Sequence, residues 1–425
     1  MNAGPSTSAE QAPGEAGQTP SYDLLLVGGE VPGAGRRDVA VRGGRIAAVG
    51  AGLSRAGART IVDVTGRLVT PGLVDLHTHV GAGYWGIDPD PIAWYTGVTT
   101  WVDAGSAGAY TMARLPRGTG VRVPALLNIS AIGLTGRTGE GRDLDNCDVD
   151  LAIGAVLADR ERIRGIKVRI DTDTVGANGV EPLRRALAAA AACGIPVMAH
   201  IGTAPPAVDE VLDLLRPGDI VTHCASGIAN PLGASARSAH ARGVLFDLGH
   251  GSGGFAFDVL EAQLEAGMPP YTISTDLHAR SVYGPAFDLP TTMAKLLAVG
   301  WPVADVIAAA TLHPARALGL NAGTLAVGAP ADLAVFAVQP GGFPVADAHR
   351  QTRVAPLRLV NEATYVAGRR LEPRLPAPPP PWIPLTDAQR AALARREHDI
   401  RALLGTPLVD VSGLADQFPR PKRSS

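Results

Sequence analysis

The chain has 425 residues, 46% of them apolar and 18% charged, with a formal charge of -2 and a pI near 6.6. That length exceeds one small domain and fits a large barrel with an accessory domain, and the balanced charge gives no reason to expect nucleic acid or an anionic membrane as partner. Cys147, Cys193 and Cys224 are scattered and form no CxxC pair, which argues against a disulfide framework and a zinc ribbon.

Residues 1–20 are rich in Gly, Pro, Ser, Ala and Gln, with neither a basic start nor an apolar core, so they read as a disordered tail and not a signal peptide. No apolar run is long enough to span a bilayer, and cytoplasm is the expected location. Residues 21–70 read as the first part of a small β domain. Its strands are 22–28, then 38–41 and 45–49 as a hairpin about Gly43-Gly44, then 61–64 and 68–69. Over residues 71–321 the rhythm changes to short apolar strands alternating with Ala-rich helices. Strands are predicted at 73–77, 98–102, 123–129, 165–170, 195–200, 220–224, 244–248 and 271–276. Helices fall between them, such as 150–163, 181–192, 208–215, 235–242 and 258–266, with another around 303–310. Eight such strands in about 250 residues predict an α/β fold, a closed (β/α)8 TIM-like barrel. Residues 322–372 return to β, with strands at 331–336, 357–360 and 363–367. They read as the second half of the small domain, a discontinuous β-sandwich built from N- and C-terminal segments. Residues 373–425 open with a Pro-rich linker and continue as a charged amphipathic helix at 387–404, either a subunit contact in a homo-oligomer or a solvated extension.

Chemistry-bearing residues gather at the predicted C-terminal strand ends, where such barrels carry their active sites. His77 and His79 end the first strand. Alternate residues of a strand share a face, so both imidazoles point into the barrel mouth, an arrangement suited to a divalent metal of zinc type. Lys167 falls on the fourth strand, and His200, His223 and Asp276 end the fifth, sixth and eighth. Singly, His200 reads as a core histidine, Asp276 as a cap and Lys167 as a snorkelling side chain; together at one barrel end they form a pattern. An inward lysine is costly unless its chemistry changes. Burial lowers the pKa of an amine, and a neutral amine takes up carbon dioxide to become a carbamate, an anion whose two oxygens can bridge two cations.

Other residues have open roles. His278 shares a face with Asp276, placed to touch a leaving group or to orient a ligand. Arg169 follows Lys167 by two residues on one strand, so it projects into the same cavity. There it either holds a substrate carboxylate or forms an ion pair with Asp171 or Asp103. Arg280 either binds an anion or lies on a loop surface. His250 reads as a support for the ligands, and its Gly-rich run 249–254 is no phosphate cradle, since no Gly-Lys-Ser/Thr follows. Cys224 faces away from His223 and reads as packing.

The run Pro71-Gly72-Leu73-Val74-Asp75-Leu76-His77-Thr78-His79 resembles the opening of the amidohydrolase superfamily. Gly165-Ile166-Lys167-Val168-Arg169, Val197-Met198-Ala199-His200 and Val221-Thr222-His223-Cys224 are further matches. Ser274-Thr275-Asp276-Leu277-His278-Ala279-Arg280-Ser281 is similar to the amidohydrolase/deacetylase branch, close to dihydroorotases. The resemblance extends over residues 21–370 and implies two divalent ions, Zn2+ by type. His77, His79 and Asp276 would hold one, His200 and His223 the other, with Lys167 as N6-carboxylysine and a hydroxide between them. It implies a small-molecule substrate: the hydroxide attacks the carbonyl of an amide or ester, and Asp276 serves as general base and then acid. A deacetylase acting on N-acyl amino acids or O-acyl hydroxy acids is the leading expectation. A dihydroorotase-like cyclic amidohydrolase and a small carboxypeptidase are alternatives. A complete ligand set argues against a non-catalytic scaffold, and the lack of an HxE or CxxC pattern argues against a nucleic-acid deaminase. One departure stands out: relatives often have a compact Tyr-containing loop after the HxH, and this chain reads Val80-Gly81-Ala82-Gly83-Tyr84-Trp85-Gly86. Tyr84 is thereby a candidate substrate contact, and substrate preference does not carry over.

Overall fold

The computed structural model describes residues 21–374 except 82, 137 and 138, together with 391 and 395. The expected N-terminal tail, and nearly all of the Pro-rich and helical C-terminal extension, lie outside the described residues. The N-terminal strands are β1 (Leu24–Val31), β2 (Gly35–Arg42), β3 (Arg45–Gly50), β4 (Ile61–Asp63) and β5 (Leu68–Pro71). The barrel strands are β6 (Leu73–Thr78), β7 (Val98–Ala104), β8 (Ala125–Asn128), β9 (Ile163–Ile170), β10 (Val197–Ile201), β11 (Ile220–Thr222) and β12 (Leu245–Asp247). β13 (Leu333–Ala346), β14 (Thr352–Val366) and β15 (Arg369–Arg370) follow.

Two sheets organise them. One runs β15-β14-β13-β5-β1-β2-β3, with β4 beside β1, so strands from both ends of the chain share a sheet. Gly43 and Gly44 have φ of 57° and 72°, the left-handed pair that a two-residue hairpin between β2 and β3 demands. Alternation sorts β1 onto two apolar faces: Leu24 and Leu26 pack with Val39, Val69 and Leu333, while Leu25 and Val27 pack with Ala40.

β6 to β12 form the second sheet in chain order, every neighbouring pair parallel. The eighth barrel segment is less regular than expected. Parallel bridges Asp247↔Thr272 and Thr78↔Leu277 tie it to β12 on one side and β6 on the other, closing the barrel without a continuous strand. At Asp276 a φ of 45° takes the chain out of the extended region and ends the segment. Val74, Leu76, Val102, Ala104, Leu126, Met198 and Ile220 cluster as an apolar plug, lying on the same strands that carry the polar mouth.

Several boundaries differ from the sequence reading. The helix predicted at 150–163 is Val149–Ala158, because β9 already starts at Ile163. The three short C-terminal strands are in fact one long hairpin, paired from Leu333↔Tyr365 to Ala346↔Thr352. Pro340, Gly341 and Gly342 look like breakers, but a register shift between Pro340 and Phe343 absorbs them. A further helix, Leu289–Ala298, is started by Asp288 accepting from the Thr291 peptide N–H, and the sequence reading has no counterpart to it.

The hairpin docks the small sheet on the barrel. Ala334, Phe336 and Leu359 share a buried cluster with Trp94, Val98 and Met293. The chain passes Phe336 so closely at Gly97 (φ 78°) that a Cβ there would lie 2.7 Å from its ring. Phe336→Ala should therefore destabilise the protein by ~3–5 kcal/mol, read as a lower denaturant midpoint. A midpoint within error of the parent would show that this contact does not hold the two sheets together.

Candidate metal centre

His77 and His79 leave the end of β6 on the same face, and each imidazole is anchored by its outer nitrogen. His77 Nδ1 donates to Thr222 Oγ1 at 2.9 Å, and that hydroxyl donates to Asp247 at 2.7 Å. His79 Nδ1 pairs with Ser106 Oγ at 2.9 Å, and the Ser106 peptide N–H donates to Asp103 at 2.8 Å. Both Nε2 atoms are thereby aimed at Asp276 Oδ1, at 3.3 and 3.2 Å. The donor atoms of His77, His79 and Asp276 all lie within 4.8 Å of one another.

A second pair of imidazoles faces this trio. His223 gives its Nδ1 to the Gly249 carbonyl, and its Nε2 lies 2.8 Å from His200 Nδ1. The outer nitrogen of His200 meets Asp171 at 3.4 Å. Lys167 completes the group from β9, with Nζ 3.0 Å from His77 Nε2 and 3.4 Å from Met198 Sδ. All six expected ligand residues thus converge in one mouth.

Electrostatics follow from burial. It holds His77 well below the usual imidazole range, lowers His200 and takes His223 down to about 3, so these rings are neutral and offer lone pairs. Burial likewise brings the Lys167 amine down to about 7. Burial would push Asp276 up, but His77, His79 and His278 hold its carboxyl well below the usual range, and it is ionised. Neutral imidazoles, one carboxylate and an amine of near-neutral pKa form a donor set that fits divalent cations of zinc type.

The backbone is bent to make this fit. His223 and Asp276 have φ of 65° and 45°, left-handed values that only well-supported non-glycine residues keep. The supports include glycines that leave no room for a side chain. A Cβ on Gly254 would lie 2.4 Å from His223 Nδ1, one on Gly251 2.5 Å from Asp276 Oδ2, and one on Gly105 2.6 Å from Lys167 Cγ.

The rim is aromatic and basic. Trp85 stacks on His278 with ring centroids 5.1 Å apart, and Tyr84 lies tilted against Trp85 at 4.9 Å. Arg280 lies over the Trp85 ring at 5.9 Å, and the His278 ring is 6.1 Å from that of His79. Arg169 does form an ion pair, though not with Asp171 or Asp103: its Nε meets Glu140 at 3.0 Å, and its Nη2 donates to Thr174 at 2.8 Å. Asp171 is taken by His200 and Thr174, and Asp103 by the Val80 and Ser106 peptides. Sequence reasoning also missed Thr222, Asp247, Ser106, Asp75 and Trp85. Asp75 sits within the quoted motif, where it accepts the Thr275 N–H and hydroxyl at 3.0 and 2.6 Å, tying β6 to the segment that bears Asp276.

Comparison with known proteins gives concordant likenesses. The profile of the amidohydrolase family matches residues 253–369. A deacetylase of Brucella anthropi is 38% identical over 309 residues, spanning 69% of this chain and 77% of its own. Among solved structures, one described as an adenine deaminase has a TM-score of 0.79 at 34% identity, covering 82% of this chain and 99% of that one. A dihydroorotase has a TM-score of 0.76 at 33% identity, covering 82% and 98%.

Thr222→Val keeps the shape of the link between His77 and Asp247 but removes its hydrogen bonds. Groups that orient a metal-binding imidazole are worth roughly 10–100-fold in metal affinity. Competition with a chelator should show divalent metal held that much more weakly in Thr222→Val; unchanged retention would show that the link does not orient His77.

Proposed function

Because this chain belongs to the amidohydrolase family, we propose that it is a binuclear metal-dependent deacetylase that hydrolyses the amide, or ester, of a small acylated acid. The observation that carries the reading is the convergence of Lys167, His77, His79, His200, His223 and Asp276 at the barrel mouth. His77, His79 and Asp276 would hold one cation, and His200 with His223 the other. Lys167 would lie between them as a carbamate, formed when its neutral Nζ bonds to the carbon of carbon dioxide and sheds a proton. Divalent cations bound there, Zn2+ by the donor types, polarise a carbonyl oxygen and lower the pKa of water from near 16 to about 7.

The chain's own residues do the rest. Asp276 Oδ1 faces the imidazoles, which leaves Oδ2 to take a proton from the attacking water and return it to the leaving nitrogen. Neighbouring carboxyls do not compete for this role. Asp75 and Asp247 are fully buried and bonded to hydroxyls, and burial raises both, Asp75 to about 7. His278, stacked on Trp85, and Tyr84 form the wall on which the acyl or leaving group rests. Arg280, over the same indole, is the cation assigned to a substrate carboxylate. Arg169 is assigned a supporting role, since its guanidinium is ion-paired with Glu140 and donates a hydrogen bond to Thr174. A cyclic-amide substrate is the second reading, supported by the likeness to a dihydroorotase.

A panel of N-acyl amino acids, O-acyl hydroxy acids and cyclic ureides, with neutral amide or methyl ester analogues, tests these assignments. Metal-loaded Asp276→Asn should lose ~10²–10⁴-fold in turnover. Arg280→Met should lower kcat/KM about ten- to a hundredfold for carboxylate substrates and spare their neutral analogues. Arg169→Met should penalise both classes equally. Turnover of cyclic ureides alone would select the second reading, and near-parental rates in Asp276→Asn would require another base.

A further inference from the structure

Lys295 is a buried amine that the proposed chemistry does not use. It lies on the helix Leu289–Ala298 at 1% exposure, and its Nζ meets His250 Nε2 at 2.6 Å and the Pro285 carbonyl at 2.7 Å. Both partners are uncharged, one a backbone carbonyl and the other an imidazole that burial holds well below its usual range; burial brings Lys295 itself down to about 7. His250 gives its Nδ1–H to the Gly251 carbonyl at 2.8 Å, which leaves Nε2 as the acceptor and makes Lys295 the donor. Two neutral acceptors repay little of what it costs to strip an amine of water.

The pair grips one turn. Gly249 and Gly251 have φ of 50° and 56°, and the His250 and Gly251 peptide N–H groups donate to the carbonyls of Ser274 and Thr275 at 3.1 and 2.8 Å. Those two residues lead directly into Asp276. Gly251 lies against Asp276 Oδ2 with no room for a Cβ, and the Gly249 carbonyl receives His223 Nδ1. A shift of this turn therefore moves the carboxylate and one imidazole together.

We propose that Lys295 is a positioning residue for hydrolysis: through His250 it fixes the turn 249–251 against Asp276, so that Oδ2 keeps its aim at the reacting atoms. The inference rests on the reading of Asp276 as proton carrier. Lys295→Met keeps most of the stem and removes the donor. With metals bound, its kcat should fall about ten- to a hundredfold, while KM changes less than about threefold and metal content stays parental. Combined with Asp276→Asn it should add less than about threefold, because the group it aims is already disabled, whereas a general loosening of the fold would lower the residual rate again. His250→Asn keeps a donor near the place of Nδ1 and loses the acceptor. It should give the same fall confined to kcat, and it stands in if Lys295→Met does not fold. Parental kcat in either metal-loaded variant, or fully additive losses in the double variant, overturns the positioning role. Parental activity in Asp276→Asn overturns the reading of Asp276 instead, which separates the two failures.

Discussion

An amine and four imidazoles packed into one barrel mouth cannot all carry charge, and the surroundings of Lys167, His77, His79, His200 and His223 follow from that constraint. Burial makes the proton-bearing forms expensive, so Lys167 is brought to about 7 and His223 to about 3. The same burial pushes the carboxyls of Asp75, Asp103 and Asp247 upward, although each accepts hydrogen bonds. Asp276 differs because three imidazoles face it and hold it ionised. One carboxylate among neutral donors is what a cation site with a built-in base requires.

The rings still need aim, and the architecture supplies it from outside the mouth. Thr222, Ser106, Asp171 and the Gly249 carbonyl take the outer nitrogens, leaving the inner ones convergent. Left-handed backbone at His223 and Asp276 swings both side chains inward, and glycines at 105, 251 and 254 give them room. The barrel wall supplies the rigidity that lets such strain persist.

The sequence made the barrel and the residues gathered at its mouth readable because both rest on strong local signals. Alternating apolar strands and Ala-rich helices announce a parallel sheet; His77, His79, His200, His223 and Asp276 fall at the strand ends that such a barrel brings together, and Lys167 lies within the fourth strand. What escaped depends on three-dimensional proximity between ordinary residue types. Glu140 reaches Arg169 from a separate loop, Thr222 and Asp247 look like any strand residues, and Lys295 is the one charged residue of its helix. The reason for the glycines of the run 249–254, clearance for His223 and Asp276, is visible only in space. The β13–β14 hairpin was cut short by Pro and Gly residues whose effect a bulge cancels.

The central claim is that burial leaves Lys167 a free amine able to carry a carbamate between two cations. The direct measurement is carbon-13 NMR of metal-loaded protein prepared in labelled bicarbonate, with bound metal counted in the same sample. The neutral amine becomes the major form as pH rises through about 7, so labelling of apoprotein should increase across that range. The account predicts one carbamate resonance per chain with about two divalent ions bound, both lost in Lys167→Ala. Two bound ions with no carbamate signal, or a signal that survives Lys167→Ala, would contradict it.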